Sequence, residues 1–183
     1  MLKKMLLTGL VASSLFAEVK LEGAFEYKLG EELDISKLER VSIGGSFGFD
    51  CYKFNHKPIG KLVNFEVCAG VYNGHKIQRI IATSLLYNYN SSCKKDLQPL
   101  IIAIKDKYGK YANKWGSVEL NNRELDIKCK SNIEFINGRM KSNGYYIEYY
   151  LNDKKLFKQS KQLAKEYEAK KAKQKSSQYS GQL

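Results

Sequence analysis

Hydrophobic and polar positions alternate most cleanly in two stretches joined by Asn73-Gly74, the residue pair that most strongly signals a tight hairpin. Leu62 to Tyr72 and His75 to Leu86 form the two arms. A two-residue turn sets Val67 opposite Ile80, Phe65 opposite Ala82 and Ala69 opposite Gln78 on one face. Cys68 then lies opposite Arg79, and Glu66 opposite Ile81, on the other face. Ile80 and Ile81 are neighbours that point to opposite sides, so the second arm reads as a central strand covered on both faces.

Leu97, Leu100, Ile101, Ile104 and Tyr108 recur at helical spacing, and Gly109 supplies a stop. Pro99 is harmless in the first turn, whose N–H groups have no intrahelical partner. The helix is therefore predicted to start with Asp96 as N-cap, after a turn over Ser91 to Lys95. Trp115 to Leu120 and Arg123 to Lys130 flank Asn121-Asn122 as a second hairpin, with Leu125, Ile127 and Cys129 on one face. Its register opposes Glu119 and Glu124, a like-charge pair that disfavours it. Gly144 to Leu151 reads as a strand with Tyr145 and Tyr149 inward and Tyr146 and Tyr150 outward. Ser131 to Asn143, containing Asn137-Gly138, reads as a long turn or an extra hairpin.

Upstream, Glu18 to Arg40 reads as a short strand followed by a turn or brief helix. Val41 to Phe54 reads as one irregular strand loosened by Gly44, Gly45 and Gly48. Asn152 to Lys175 is helix-prone, with a narrow apolar stripe of Leu156, Leu163 and Tyr167. Its first half can dock on the sheet, while its end, through Ser176 to Leu183, is expected to fray. The expected fold is α+β: an antiparallel sheet of about five strands, one amphipathic helix packed on a face, and a basic C-terminal helix.

The N-terminus changes the setting. Lys3 and Lys4 precede an uncharged apolar run from Met5 to Phe16, and the small Ala17 is followed by Glu18. This is the layout of a secretory signal peptide. The run is short of the about 20 apolar residues of a transmembrane helix. Residues 1–17 are read as a signal peptide, 18–152 as one α+β domain, and 153–183 as a basic, helical, partly disordered tail. The mature chain, with no transmembrane segment, would reside in the periplasm or be secreted.

Charge adds a class of partner. The 31 Lys and Arg against 19 Asp and Glu give +12, and a basic exported chain attracts anionic lipid, anionic polysaccharide or an acidic protein. Only Arg40, Arg79, Arg123 and Arg139 are arginine, the residue that phosphate readers favour. That, with an exported location, argues against nucleic acid. Lys, Asn, Ile and Tyr share AT-rich codons, so drift in genome composition is a competing source of the charge.

Cys51, Cys68, Cys93 and Cys129 form an even set, which in an exported chain reads as disulfides. Cys51–Cys68 and Cys93–Cys129 are favoured among the possible pairings. The first closes a short loop and the second ties the start of a helix to a strand. Zinc held by Cys51 with His56 and Cys68 with His75 matches no common ligand spacing, so no metal or cofactor is expected.

Gly44-Gly45-Ser46-Phe47-Gly48 fits a nucleophile elbow, with Asp50 and His56 following, but a strand pattern continues where that elbow needs a helix. Cys93 near a helix start could be a nucleophile, yet both histidines precede it and a disulfide accounts for it. Asp50 and Glu66 as an acid–base pair have no supporting spacing. No catalytic residue is assigned. Tyr146, Tyr150, Lys154, Lys155, Lys158 and Lys161 are the candidate binding residues. The expectation is an exported, non-enzymatic binding module that recognises a protein or an anionic envelope component. The alternatives are a periplasmic inhibitor or immunity protein against a toxin or lytic enzyme, and a small cell-wall hydrolase using Cys93 or Ser46.

Overall fold

The computed structural model describes residues 19–43, 47–136 and 139–180, so the expected signal peptide lies outside the described residues. Nine strands and two long helices follow in order: β1 (Gly23–Ala24), β2 (Tyr27–Lys28), β3 (Glu39–Ile43), β4 (Phe49–Phe54), β5 (Leu62–Gly70), β6 (Ile77–Ser84), α1 (Asn90–Tyr108), β7 (Val118–Leu120), β8 (Arg123–Ile136), β9 (Arg139–Asp153) and α2 (Lys154–Ser180). β1 and β2 form a small separate hairpin. The others make one seven-stranded sheet in the order β3-β4-β5-β6-β9-β8-β7, and every pairing is antiparallel. The fold is α+β as expected, with a larger sheet than the five strands anticipated.

The extra width has a physical origin. Val41 to Phe54, read as one irregular strand, holds the end of β3 and all of β4, which pair with each other. β3 is a short edge strand with a register shift between Arg40 and Ser42, so it shows no clean alternation. Ser131 to Asn143 is not a separate turn: β8 and β9 run on as one long ribbon paired from Arg123↔Asp153 to Ile136↔Arg139. The Asn137-Gly138 turn lies outside the described residues.

One face of the sheet carries the main core. Phe65, Val67, Ile80, Ala82, Leu125, Ile127, Ile147 and Leu151 pack there against Leu97, Ile101 and Ile104 of α1 and against Leu21, Leu29 and Leu33 of the N-terminal segment. α1 begins at Asn90, six residues before the expected cap, and keeps Pro99 inside. Pro99 gives up its own bond to Lys95, but buried Cys93, Leu97 and Ile101 hold the helix on the sheet on both sides of it. Asp96 is not a cap: it accepts from the Tyr87 hydroxyl at 3.2 Å and lies 3.7 Å from Lys61. Gly109 ends the helix at φ +53°, as its position predicts.

The Asn73-Gly74 hairpin keeps the expected register from Phe65↔Ala82 to Cys68↔Arg79. It then shifts, so that Ala69 faces Ile77 rather than Gln78. The cause is a β-bulge beside Gln78, which leaves that side chain free of the strand alternation. The Asn121-Asn122 hairpin matches its expected register, with Glu119↔Glu124 and Leu120↔Arg123, and both asparagines adopt positive φ.

The structure joins Cys51 to Cys68 and Cys93 to Cys129. The first bridge links neighbouring strands β4 and β5; the second ties α1 to β8 on the core face.

Candidate binding surface

The second face of the sheet is half covered. α2 crosses it above Phe49, Cys51 and Cys68, where Phe157 packs. Close approach needs two glycines. A Cβ at Gly48 would collide with the Ser160 carbonyl, and one at Gly70 with the Ser160 hydroxyl. The Ser160 hydroxyl donates to Gln78 Oε1 at 2.8 Å and accepts from Asn73 Nδ2 at 3.1 Å, so the bulged glutamine becomes a helix anchor. Arg79 sits among three rings, its guanidinium carbon 4.9 Å from Phe49, 4.9 Å from Tyr150 and 4.8 Å from Phe157. Asp153 caps the helix by accepting from the Leu156 N–H at 3.0 Å.

Past Ala164 the helix leaves the sheet. Tyr167 still stacks on Tyr72 with centroids 4.9 Å apart. Every described residue from Lys165 to Ser177 is exposed, a length of about 20 Å at the helical rise. Lys154, Lys158, Lys161 and Lys165 recur at the spacing of one helix face, and Lys170, Lys171, Lys173 and Lys175 continue beyond. Lys161 lies 5.6 Å from the Phe47 ring. Among the described residues, Lys154 alone of the α2 lysines forms an ion pair.

Lys154 resolves the conflict noted in the second hairpin. Its ammonium is 2.8 Å from Glu119 and 3.1 Å from Glu124, bridging the two opposed carboxylates, and those hydrogen bonds raise its pKa. The same pair borders an open groove of about 680 Å³ on the uncovered part of the sheet, lined also by Tyr111, Asp126, Lys128, Lys130, Glu148 and Tyr150. Lys130 pairs with Glu148 at 2.6 Å and Lys128 with Asp126 at 2.5 Å. Burial pushes the Asp126 carboxyl up, but hydrogen bonds from Lys128 and Ser117 outweigh it and leave its pKa below the usual carboxylate range. Burial raises the Tyr150 hydroxyl, with Arg79 opposing.

Tyr150 lines the groove and Lys154 pairs with two of its carboxylates, while Tyr146 sits farther along the same face, opposite Lys130. Lys155, Lys158 and Lys161 are exposed on α2. Sequence reasoning missed Arg79, Phe157 and the groove charges. The alternation Glu124, Asp126, Lys128, Lys130 carried the signal for the last.

The chemical candidates come apart. Ser46 lies outside the described residues. Asp50 accepts from Arg40 at 3.4 Å, and His56 Nδ1 is 2.7 Å from the Lys57 carbonyl, so each is engaged elsewhere. Cys93 is buried and bonded to Cys129, which removes it as a nucleophile. Cys51 and Cys68 are bonded to each other, so neither offers a thiolate to zinc beside His56 or His75. No protein-family model, curated protein or solved structure matches the chain. Two disulfides are compatible with export. Among the described residues, no helix is long and apolar enough to cross a membrane.

Proposed function

We propose that this chain is an exported, non-enzymatic binding module that engages an anionic envelope surface through α2. The observation that supports this is where the charge lies. α2 carries nine lysines against Glu166 and Glu168, more than half of the net +12, on 27 of 183 residues. Codon drift acts on the whole chain and gives no reason for that concentration. Among the described residues, those from Lys165 to Ser177 are all exposed, and none of the lysines there forms an ion pair within the domain. A docked helix presents those charges in a fixed array, which lowers the entropy lost on binding.

The test is co-sedimentation of the oxidised chain, starting at Glu18, with phosphatidylglycerol vesicles and with phosphatidylcholine vesicles. Binding is expected to the anionic vesicles only, and to fall steeply with salt. Each basic residue near an anionic surface contributes about 1 kcal/mol, so replacing Lys170, Lys171, Lys173 and Lys175 by Gln should weaken binding roughly a thousandfold. Binding to dextran sulfate without vesicle binding would move the assignment from lipid to anionic polysaccharide. Absence of binding to both, or binding indifferent to the four substitutions, refutes the proposal.

A further inference from the structure

The geometry points to a second copy of this chain as a partner: we propose that two molecules join edge to edge through β8, antiparallel, with Ser131 opposite itself on the twofold axis. β7 covers β8 only from Arg123 to Leu125. Asp126 is shielded by Ser117, whose hydroxyl donates to it at 2.8 Å. From Lys128 to Ile136 the outer edge of β8 has no strand partner among the described residues. That edge is about 30 Å of backbone donors and acceptors, an opening for strand addition.

The usual protections of an edge are weak here. No proline interrupts Lys128 to Ile136. The register shift at Asn132/Ile133 puts its extra residue, Asn143, on β9 and leaves β8 regular. Lys128 and Lys130 could blunt the edge, but Lys130 leans inward to Glu148 of β9 and Lys128 folds onto Asp126.

Charge and packing together select the register. Centred on Ser131, the pairing sets Lys128 against Glu134, Cys129 against Ile133 and Lys130 against Asn132 of the copy. Centred one residue earlier, it sets Lys130 against itself and Asp126 against Glu134. Centred one residue later, it sets Lys130 against Glu134 and Lys128 against Ile136, but Ile133 then faces the polar Ser131 of the copy instead of Cys129. Packing agrees with the Ser131 register. Ile133 and Met140, on the core face beyond α1, are 58% and 75% exposed. The register places Ile133 beside Cys129 of the copy, next to the copy's α1.

Sedimentation velocity of the oxidised protein over a concentration series tests this. Wild type is expected to show a monomer–dimer equilibrium. Glu134→Lys should raise the dissociation constant about tenfold or more, because both symmetry-related pairs become repulsive. Lys128→Glu combined with Glu134→Lys should restore it. Ser131→Lys, at an exposed position, should abolish the dimer without touching the Asp126 contact, and circular dichroism should show each variant folded. A wild type that stays monomeric, a dimer unaffected by Glu134→Lys, or a folded double variant that fails to restore association overturns the proposal.

Discussion

Replacing Arg123 by Met removes a side chain that ties the N-terminal segment, β8 and the start of α2 to one point. Its Nη1 donates to the Leu21 carbonyl at 2.8 Å, its Nη2 to the Leu29 carbonyl at 3.2 Å, and its Nε to Asp153 at 3.2 Å. The Arg123 side chain is 26% exposed and that of Asp153 11%, so the pair is largely desolvated. Hydrogen bonds to charged groups contribute about 1.5–3 kcal/mol each, but their simple sum overshoots, because water re-enters when the arginine goes. The better guide is the cost of breaking a buried ion pair, about 3–5 kcal/mol. Partial exposure favours the lower end, so Arg123→Met should cost about 3 kcal/mol. Urea unfolding of the oxidised protein, followed by far-ultraviolet circular dichroism, reads this directly. Trp115 is 64% exposed and a poor fluorescence probe. Lysine at 123 keeps one charge contact but cannot fork to both carbonyls, so it should fall between wild type and Met. Adding Asp153→Asn to Arg123→Met should recover part of the loss, because Asn still caps α2 and leaves no unpaired carboxylate. A cost below about 1 kcal/mol for Arg123→Met, or a lysine variant equal to wild type, refutes the clasp.

Two further outcomes follow from buried groups. Replacing Cys93 and Cys129 together by Ala should cost about 4 kcal/mol, against about 3 for Cys51 and Cys68, because the first pair closes the longer loop, 36 residues against 17; chemical denaturation of the two double variants gives the order, and the reverse order refutes it. Burial, then Glu148, raises the Glu66 carboxyl pKa, while Lys53 opposes; a carboxyl held above its unfolded value of about 4.3 binds protons more readily in the folded state, so it lowers stability as pH rises through that window. Glu66→Gln should therefore raise the melting temperature at pH 7 and give no gain at pH 3, and an equal gain at both values counts against the assignment.

Much of the sheet was legible because its signals are local. Asn121 and Asn122 take the positive φ that a two-residue turn requires, and the register of that hairpin follows. The spacing of Cys51 and Cys68 suited neighbouring strands, and they are neighbours. The conflict between Glu119 and Glu124 was also visible, but its answer, Lys154, stands 30 residues after Glu124 and reaches them only once α2 starts beside β9. Phe157 fell outside the apolar stripe because its contacts are a cation and the rings of Phe47 and Phe49 rather than an aliphatic core. Gln78 looked like a polar residue in a core pattern; a bulge turns it into the acceptor for Ser160. α1 defied its Pro99 signal because tertiary burial and a disulfide outweigh one lost hydrogen bond.

The two halves of α2 depend on each other. An isolated helix of a dozen residues is marginal in water, because nucleation is costly. Like-charged lysines on the projecting half weaken it further. That half is helical because the docked half supplies a nucleus: the Asp153 cap, the Ser160–Gln78 bond and Phe157 against Arg79 fix the first turns, and propagation then adds one bond per residue. The lysine array is thus held in shape by the sheet it projects from. A substitution at Gly48 or Gly70, which touch Ser160 rather than the distal lysines, would lift α2 off Ser160 and let the distal turns melt. An anionic surface that binds the array would in turn offset the lysine repulsion and favour the docked helix, so binding and the integrity of the second face reinforce one another.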